Sequence, residues 1–228
     1  MGRFFSEIMT TNYLVEKSKG ILKLVPEYRD EGKGYQAFND GSVEAEVGDF
    51  LYGMTRILRP VFVLETGTYK GVSSAYIGQA LKDNGRGTLD TCEINDLHIE
   101  TAKQLWATLE IFPKWIKPHR IESLKYEAIY NYDLMFLDSE PNLRFHELVR
   151  FYPHLSEGGY AFIHDCPPSL TQGNINPDHP EIESWPFGNL PEEIKTWVKE
   201  DKLRVIHFPN PRGMTGFYRV RRDEYKWL

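Results

Sequence analysis

Cysteine is scarce in this chain. Cys92 and Cys166 are the only two in 228 residues; they stand far apart, with no CxxC pair and no clustered histidines, which leaves neither a zinc site nor a disulfide framework. No apolar stretch approaches the ~18 residues a membrane span needs, and Arg3, Glu7, Glu16, Lys17, Lys19 and Lys23 interrupt any signal-peptide core. A cytoplasmic protein that engages no membrane is the expectation. Positive charge is also in deficit: 27 Lys and Arg stand against 33 Asp and Glu, a net charge of −6. That balance supplies no basic field for a phosphate backbone, so nucleic acid is excluded as a general partner. Internal repeats and low-complexity tracts are absent.

What is present suits a globular enzyme-sized core. Hydrophobic residues make up 41% and charged residues 26%, the balance of a folded domain rather than a disordered one. At roughly 150 residues per domain, the length favours one core with embellishments. Residues 1–41 read as an N-terminal cap segment. Within it the polar, glycine-punctuated run from Asp30 to Tyr35 reads as a mobile loop suited to a lid. Ser42 is placed as the N-cap of a helix carrying Val43, Val47, Phe50, Leu51, Met54 and Leu58 at helical spacing and ending at Pro60.

From there strand and helix alternate. Val61 to Leu64 is a short apolar run without alternation, as in a strand buried on both faces of a parallel sheet. Further strands are expected at Thr88 to Ile94, Lys117 to Ile121, Leu134 to Asp138 and Tyr160 to His164, with helices at Leu97 to Leu109 and Leu143 to Tyr152. This order predicts an α/β fold with a Rossmann-like, doubly wound sheet. A Pro-rich insertion, Pro167 to Pro191, precedes a helix through Trp197. A final pair of strands, Leu203 to Phe208 and Met214 to Val220, reads as an antiparallel C-terminal hairpin.

Ligands of open α/β sheets bind beyond the carboxyl ends of the strands. The first such junction reads Glu65-Thr66-Gly67-Thr68-Tyr69-Lys70-Gly71-Val72-Ser73-Ser74. Its glycines permit a tight turn and a close backbone approach to a ligand. Lys70 precedes Gly71 instead of following it, so a P-loop is excluded, and Tyr69 stands where a dinucleotide fingerprint requires glycine. Glu65 opposes a phosphate ligand as well: a carboxylate about 4 Å from a negative charge costs about 4 kcal/mol at an effective dielectric of about 20. A cationic ligand such as S-adenosylmethionine (SAM) suits this acidic strand end, its carboxylate resting on the amides and hydroxyls of Ser73 and Ser74 at the helix start. Glu93 follows about 20 residues beyond Gly71, the spacing for a carboxylate on ribose hydroxyls. NAD would accept Glu93 too, which keeps a nucleotide-dependent oxidoreductase open as an alternative. Glu122 and Ser123 fall where an adenine edge would lie.

Four segments in order, Val63 to Ser73, Cys92 to Asn95, Asp133 to Asp138, and Gly158-Gly159-Tyr160 leading to His164-Asp165, resemble class I SAM-dependent methyltransferases. More narrowly they are similar to the O-methyltransferase branch of catechol-type and sugar- or antibiotic-tailoring enzymes. The resemblance implies a seven-stranded sheet, mostly parallel with an antiparallel end, in a methyltransferase domain spanning 42–228. It also implies methyl transfer from SAM held by Glu65, Gly67, Tyr69, Gly71, Ser73, Ser74, Glu93, Glu122, Ser123 and Asp138.

Methyl transfer requires an oriented acceptor and a route for its proton. Asp138, His164 and Asp165 close two strands and are the expected catalytic residues. In the metal-dependent relatives the resemblance places Mg²⁺ at the positions of Asp138 and Asp165, but the third position here is Cys166, a poor ligand for a hard cation. The lysine base that catechol-type members carry is replaced by Pro141. His164 then stands as the base, since an imidazole of pKa ~6.5 takes a proton near neutrality. The insertion interleaves Asn174, Asn176, Asp178, His179 and Glu181 with Trp185 and Phe187, a mixture suited to a sugar or glycan acceptor. A phenolic acceptor, a SAM-binding protein without turnover, and assembly as a homodimer are the further expectations.

Overall fold

In the computed structural model, residues 11–30, 33–39, 41–166 and 191–222 are described. Helix α1 (Thr11–Lys17) leads into strands β1 (Val25–Asp30) and β2 (Lys33–Ala37), then α2 (Ala45–Leu58). Next come β3 (Phe62–Thr66), α3 (Val72–Asn84), β4 (Thr88–Glu93), α4 (Asp96–Thr108) and β5 (Ile116–Arg120). The chain continues with β6 (Tyr132–Leu137), α5 (Arg144–Phe151), β7 (Leu155–His164), α6 (Glu192–Lys199), β8 (Leu203–Phe208) and β9 (Met214–Arg219). Seven of these strands form one sheet in the order β5-β4-β3-β6-β7-β9-β8. This is the expected Rossmann-like α/β fold, and β7 pairs β9, and β9 pairs β8, antiparallel, as the C-terminal hairpin requires. No helix among the described residues is long and apolar enough to cross a membrane.

Two compact units divide the chain. The first comprises Met1–Val61 and Thr68–Arg120. In it β4 and β5 run parallel, and α3 is buried along almost its whole length. Gly48 of α2 lets the ring of Tyr76 pack directly on its backbone, where a Cβ would lie 2.4 Å from the ring. The Tyr76 hydroxyl is 2.9 Å from Thr11 Oγ1, tying α1 to α3, and burial pushes this phenol well above its ordinary value. α2 stops where expected, with Arg59 in the left-handed region at φ 50° just before Pro60.

Two local expectations in this unit are corrected. Ser42 does not cap α2: its hydroxyl accepts from the amides of Phe38 at 3.1 Å and Asn39 at 3.2 Å. A serine this close to its own turn finds those amides before it finds the helix, and the helix begins after Glu44 without a side-chain cap. The run from Asp30 to Tyr35 is not a loop, because Asp30 pairs Lys33 and Tyr28 pairs Tyr35 in an antiparallel hairpin. Glu31 and Gly32 lie outside the described residues.

The second unit comprises Phe62–Gly67 and Ile121–Leu228. β3 pairs β6 in parallel, with Glu65 opposite Phe136, and β6 pairs β7. Leu134, Met135, Phe136, Leu137, Ala161, Phe162 and Ile163 are buried, which explains why these strands read as unbroken apolar runs. The strands therefore deliver their polar residues at their ends. The end of β3 abuts the end of β6 at Gly67: a Cβ there would sit 2.2 Å from the Asp138 carbonyl oxygen, and φ is +79°. This glycine is needed for close approach of protein backbone.

Gly67→Ala is expected to destabilise the protein by about 3 kcal/mol or more, through left-handed strain and backbone overlap together. Gly85→Ala, also at positive φ but with open space around its Cβ position, should cost only about 1–2 kcal/mol. Urea unfolding of both variants checks the difference.

Candidate active site

In the first unit the turn after β3 is organised around Glu93. The Tyr69 amide donates to Glu93 Oε2 at 2.8 Å. The amides of Ile94 and Asn95 each donate to Oε1 at 2.9 Å, and His98 Nδ1 lies 3.6 Å from the same oxygen. Glu93 is thus buried at the end of β4 and fixed by three backbone donors, with lone-pair capacity remaining on Oε2. Tyr69 takes up φ 45°. Its ring meets His98 edge-on at 4.6 Å, and Lys70 lies over it.

Gly71 serves helix packing. The Gly71 carbonyl accepts from the Trp106 indole at 2.9 Å, and a Cβ would fall 2.6 Å from Ala102. As cap of α3 it offers no side chain to the first-turn amides, so the positive end of the helix dipole is presented without a side-chain cap. Ser73 and Ser74 sit in that turn and are buried.

In the second unit Asp138, His164 and Asp165 come together, with ligand-type atoms all within 4.8 Å of one another. His164 Nδ1 is 3.2 Å from Asp138 Oδ1 and 3.5 Å from Asp165 Oδ1. An ionised carboxylate offers no proton, so Nδ1 must carry one and donate. Two arginines stand beside this trio. Arg144, from α5, places Nη2 2.9 Å from Asp138 Oδ1 and Nη1 3.0 Å from Asp165 Oδ2. Its Nη1 also donates to the His164 carbonyl at 2.6 Å, and its Nε to the Ser139 carbonyl at 2.7 Å. Arg212, from the turn between β8 and β9, contacts both Asp165 oxygens at 2.7 Å.

This charge set is internally matched. Burial pushes the Asp165 carboxyl upward, but His164, Arg144 and Arg212 outweigh it and hold the group well below the usual carboxylate range. Burial likewise opposes the Arg144 charge, and Asp138 with Asp165 more than restores it. His164 is fully buried, which argues against the expected role as a base meeting the acceptor. Of the three residues, Asp138 and Asp165 retain partial exposure. The Cys166 thiol is buried, and that burial pushes its pKa up; it is not part of the trio.

A second polar centre lies on the same helix. Glu147 is fully buried and accepts from Thr66 at 2.8 Å, from Ser139 at 2.6 Å and from Ser123. Burial raises its pKa despite those hydroxyls and Arg144. Ser123, expected at an adenine edge, spends its hydroxyl proton on Glu147. Glu122 is half-exposed and paired with Lys125 at 2.5 Å. Glu65 is fully buried at the end of β3. Arg144 and Glu147, missed in the sequence, sit at i and i+3 beside Leu148 and Phe151 on the buried face of α5. A charged pair within an apolar helical stripe is the signal that marks them.

The trio does not fit Mg²⁺. The Nδ1 atom of His164 is a donor, Asp165 is clamped by Arg212, and Arg144 already bridges the two carboxylates. A divalent ion about 4 Å from the guanidinium would meet a repulsion on the order of 8 kcal/mol at an effective dielectric of about 20.

The doubly wound seven-stranded sheet is the Rossmann-like α/β architecture. A model described as a methyltransferase domain matches residues 64–166. A protein of Mycolicibacterium smegmatis provisionally named an O-methyltransferase is 29% identical over 182 residues, covering 78% of this chain and 83% of that protein. The structure of a Podospora anserina methyltransferase bound to S-adenosylhomocysteine shares the fold at TM-score 0.66 and 14% identity, over 91% of this chain and 88% of that one. The SAM complex of TomG, the Streptomyces achromogenes O-methyltransferase of tomaymycin synthesis, does so at 0.63 and 18%, over 81% and 84%. Residues 64–166 are thus similar to a methyltransferase domain, and the chain as a whole is similar to proteins provisionally named O-methyltransferases.

Asp165 contributes stability that is complete above its ordinary value of 3.8 and is lost as pH falls from there through its lower folded-state value. Glu147 acts oppositely: its raised value makes the folded state less favoured as pH rises from 4.5. Urea midpoints measured against pH should therefore fall more steeply below pH 3.8 in the wild type than in Asp165→Asn. At neutral pH, Asp165→Asn should cost about 3–5 kcal/mol, since it leaves buried guanidinium charge unmatched.

Proposed function

We propose that the enzyme methylates a hydroxyl of a small molecule, a sugar or glycan, with Asp138 receiving the acceptor proton. The observation that carries the chemical half is the charge-matched cluster at the ends of β6 and β7, in which Asp138 is partly exposed and fixed by Arg144 and His164. A fixed carboxylate beside the acceptor oxygen holds its proton and turns its lone pair to the methyl group. The preference for a sugar rests on the polar and aromatic composition of Pro167 to Pro191, of which residues 167–190 lie outside the described residues.

SAM supplies the methyl group on a sulfonium when bound. In this reading the first-turn amides of α3, with Ser73 and Ser74, hold its carboxylate, and buried Glu65 answers its positive charge. Glu93 takes the ribose hydroxyls on its remaining lone pairs, with Gly67, Tyr69 and Gly71 shaping the turn. Glu122 and Ser123 border the adenine. Support for SAM over a dinucleotide comes from the acidic strand ends and from Tyr69 in place of a glycine. A cytoplasmic setting belongs to the same proposal, supported by two buried cysteines that form no disulfide.

SAM, and not NAD, should raise the melting temperature of the full chain, and Glu93→Ala should weaken SAM about 10-fold or more. Labelled methyl should pass to members of a sugar panel, and Asp138→Asn should lower kcat by about 100-fold or more. Transfer to phenols alone would overturn the acceptor assignment. Stabilisation by NAD alone would overturn the whole reading.

A further inference from the structure

We propose that Arg144 is a resident cation standing where a divalent ion would otherwise join the ends of β6 and β7, so that the reaction runs without a metal. The proposal rests on the reading of these strand ends as the chemical end of the site. Asp138, His164 and Asp165 alone have the make-up of a metal site, two carboxylates and an imidazole with their atoms within 4.8 Å of one another. A divalent ion there would neutralise the carboxylates and fix the strand ends in register. The guanidinium does both from within the chain. Its planar fork reaches Asp138 at 2.9 Å, Asp165 at 3.0 Å, and the carbonyls of Ser139 and His164 at 2.7 and 2.6 Å.

Three features make this a built arrangement. The Arg144 side chain is only 5% exposed, so it has no competing position in solvent. Its donors are directed to both strand ends, a bidentate geometry that lysine cannot reproduce. Cys166, next in the chain after Asp165, adds no oxygen ligand: it is buried, its backbone amide donates to the Gly213 carbonyl at 3.1 Å, and its soft sulfur suits no hard cation. Arg144 is accordingly a positioning residue: it orients Asp138 toward the acceptor and supplies fixed positive charge, while the acceptor proton goes to Asp138.

The test uses the full-length protein and Mn²⁺ as the probe, followed by electron paramagnetic resonance. In the wild type Mn²⁺ should remain free, and neither Mg²⁺ nor EDTA should shift the melting temperature or the rate. Arg144→Ala, if folded by circular dichroism, should take up one Mn²⁺ at least about 10-fold more tightly than the wild type, and Asp138→Asn in that background should abolish the uptake. A wild-type Mn²⁺ site removed by Asp138→Asn, or loss of activity in EDTA restored by Mg²⁺, would overturn the proposal. So would a folded Arg144→Ala protein that takes up no Mn²⁺. If that variant does not fold, the wild-type arms decide alone. Because Mn²⁺ uptake requires no turnover, a protein that shows the expected metal behaviour yet transfers no methyl would refute the proposed function and leave this inference standing.

Discussion

The second unit depends on one guanidinium. Parallel strands β6 and β7 end side by side with an acidic residue following each, Asp138 after one and Asp165 after the other, and two carboxylates this close repel unless something positive lies between them. Arg144 supplies that charge at 2.9 and 3.0 Å. Burying an arginine is costly, and the cost is met only because every edge of the fork finds an acceptor. The same contacts fix the direction of the Asp138 carboxylate, so the requirement for charge balance and the requirement for an oriented acceptor site are answered by one side chain.

Helix α5 carries this device together with its opposite. Arg144 brings buried positive charge to the ends of β6 and β7, and Glu147, one turn further on, brings a buried carboxylate to Thr66, Ser123 and Ser139. These three hydroxyls come from the end of β3, the segment after β5 and the segment after β6. A short helix therefore sets the spacing of these three segments. The glycines play a related part: Gly67 lets the end of β3 meet the backbone of Asp138, and Gly71 lets α3 meet Trp106. Protein packing already explains their occurrence, and any ligand benefits from the result.

The strands were legible in the sequence because they are buried on both faces, and burial of that kind leaves an uninterrupted apolar run. Their ends were legible for the same reason in reverse, since Glu65, Glu93, Asp138 and His164-Asp165 stand out against those runs. Pairings made across long sequence separations were not legible. Arg144, Glu147 and Arg212 reach the strand ends from a helix and a distant turn, and their meaning exists only once α5 and the β8–β9 turn are folded against β6 and β7. His164 shows the complementary failure: its position in the strand was read correctly, but its complete burial depends on neighbours that the sequence does not order. Ser42 was misread because a hydroxyl near a turn has two sets of amides to choose from, and local geometry decided between them.

The central claim is that Arg144 and Asp138 are energetically one unit, and a double-mutant cycle in urea tests it most directly. Unfolding free energies of the wild type, Arg144→Met, Asp138→Asn and the double variant should show the double variant to be less destabilised than the sum of the singles, with a coupling of about 1–3 kcal/mol. Additivity within about 0.5 kcal/mol would mean that the two groups are neighbours without being partners, and would contradict the account.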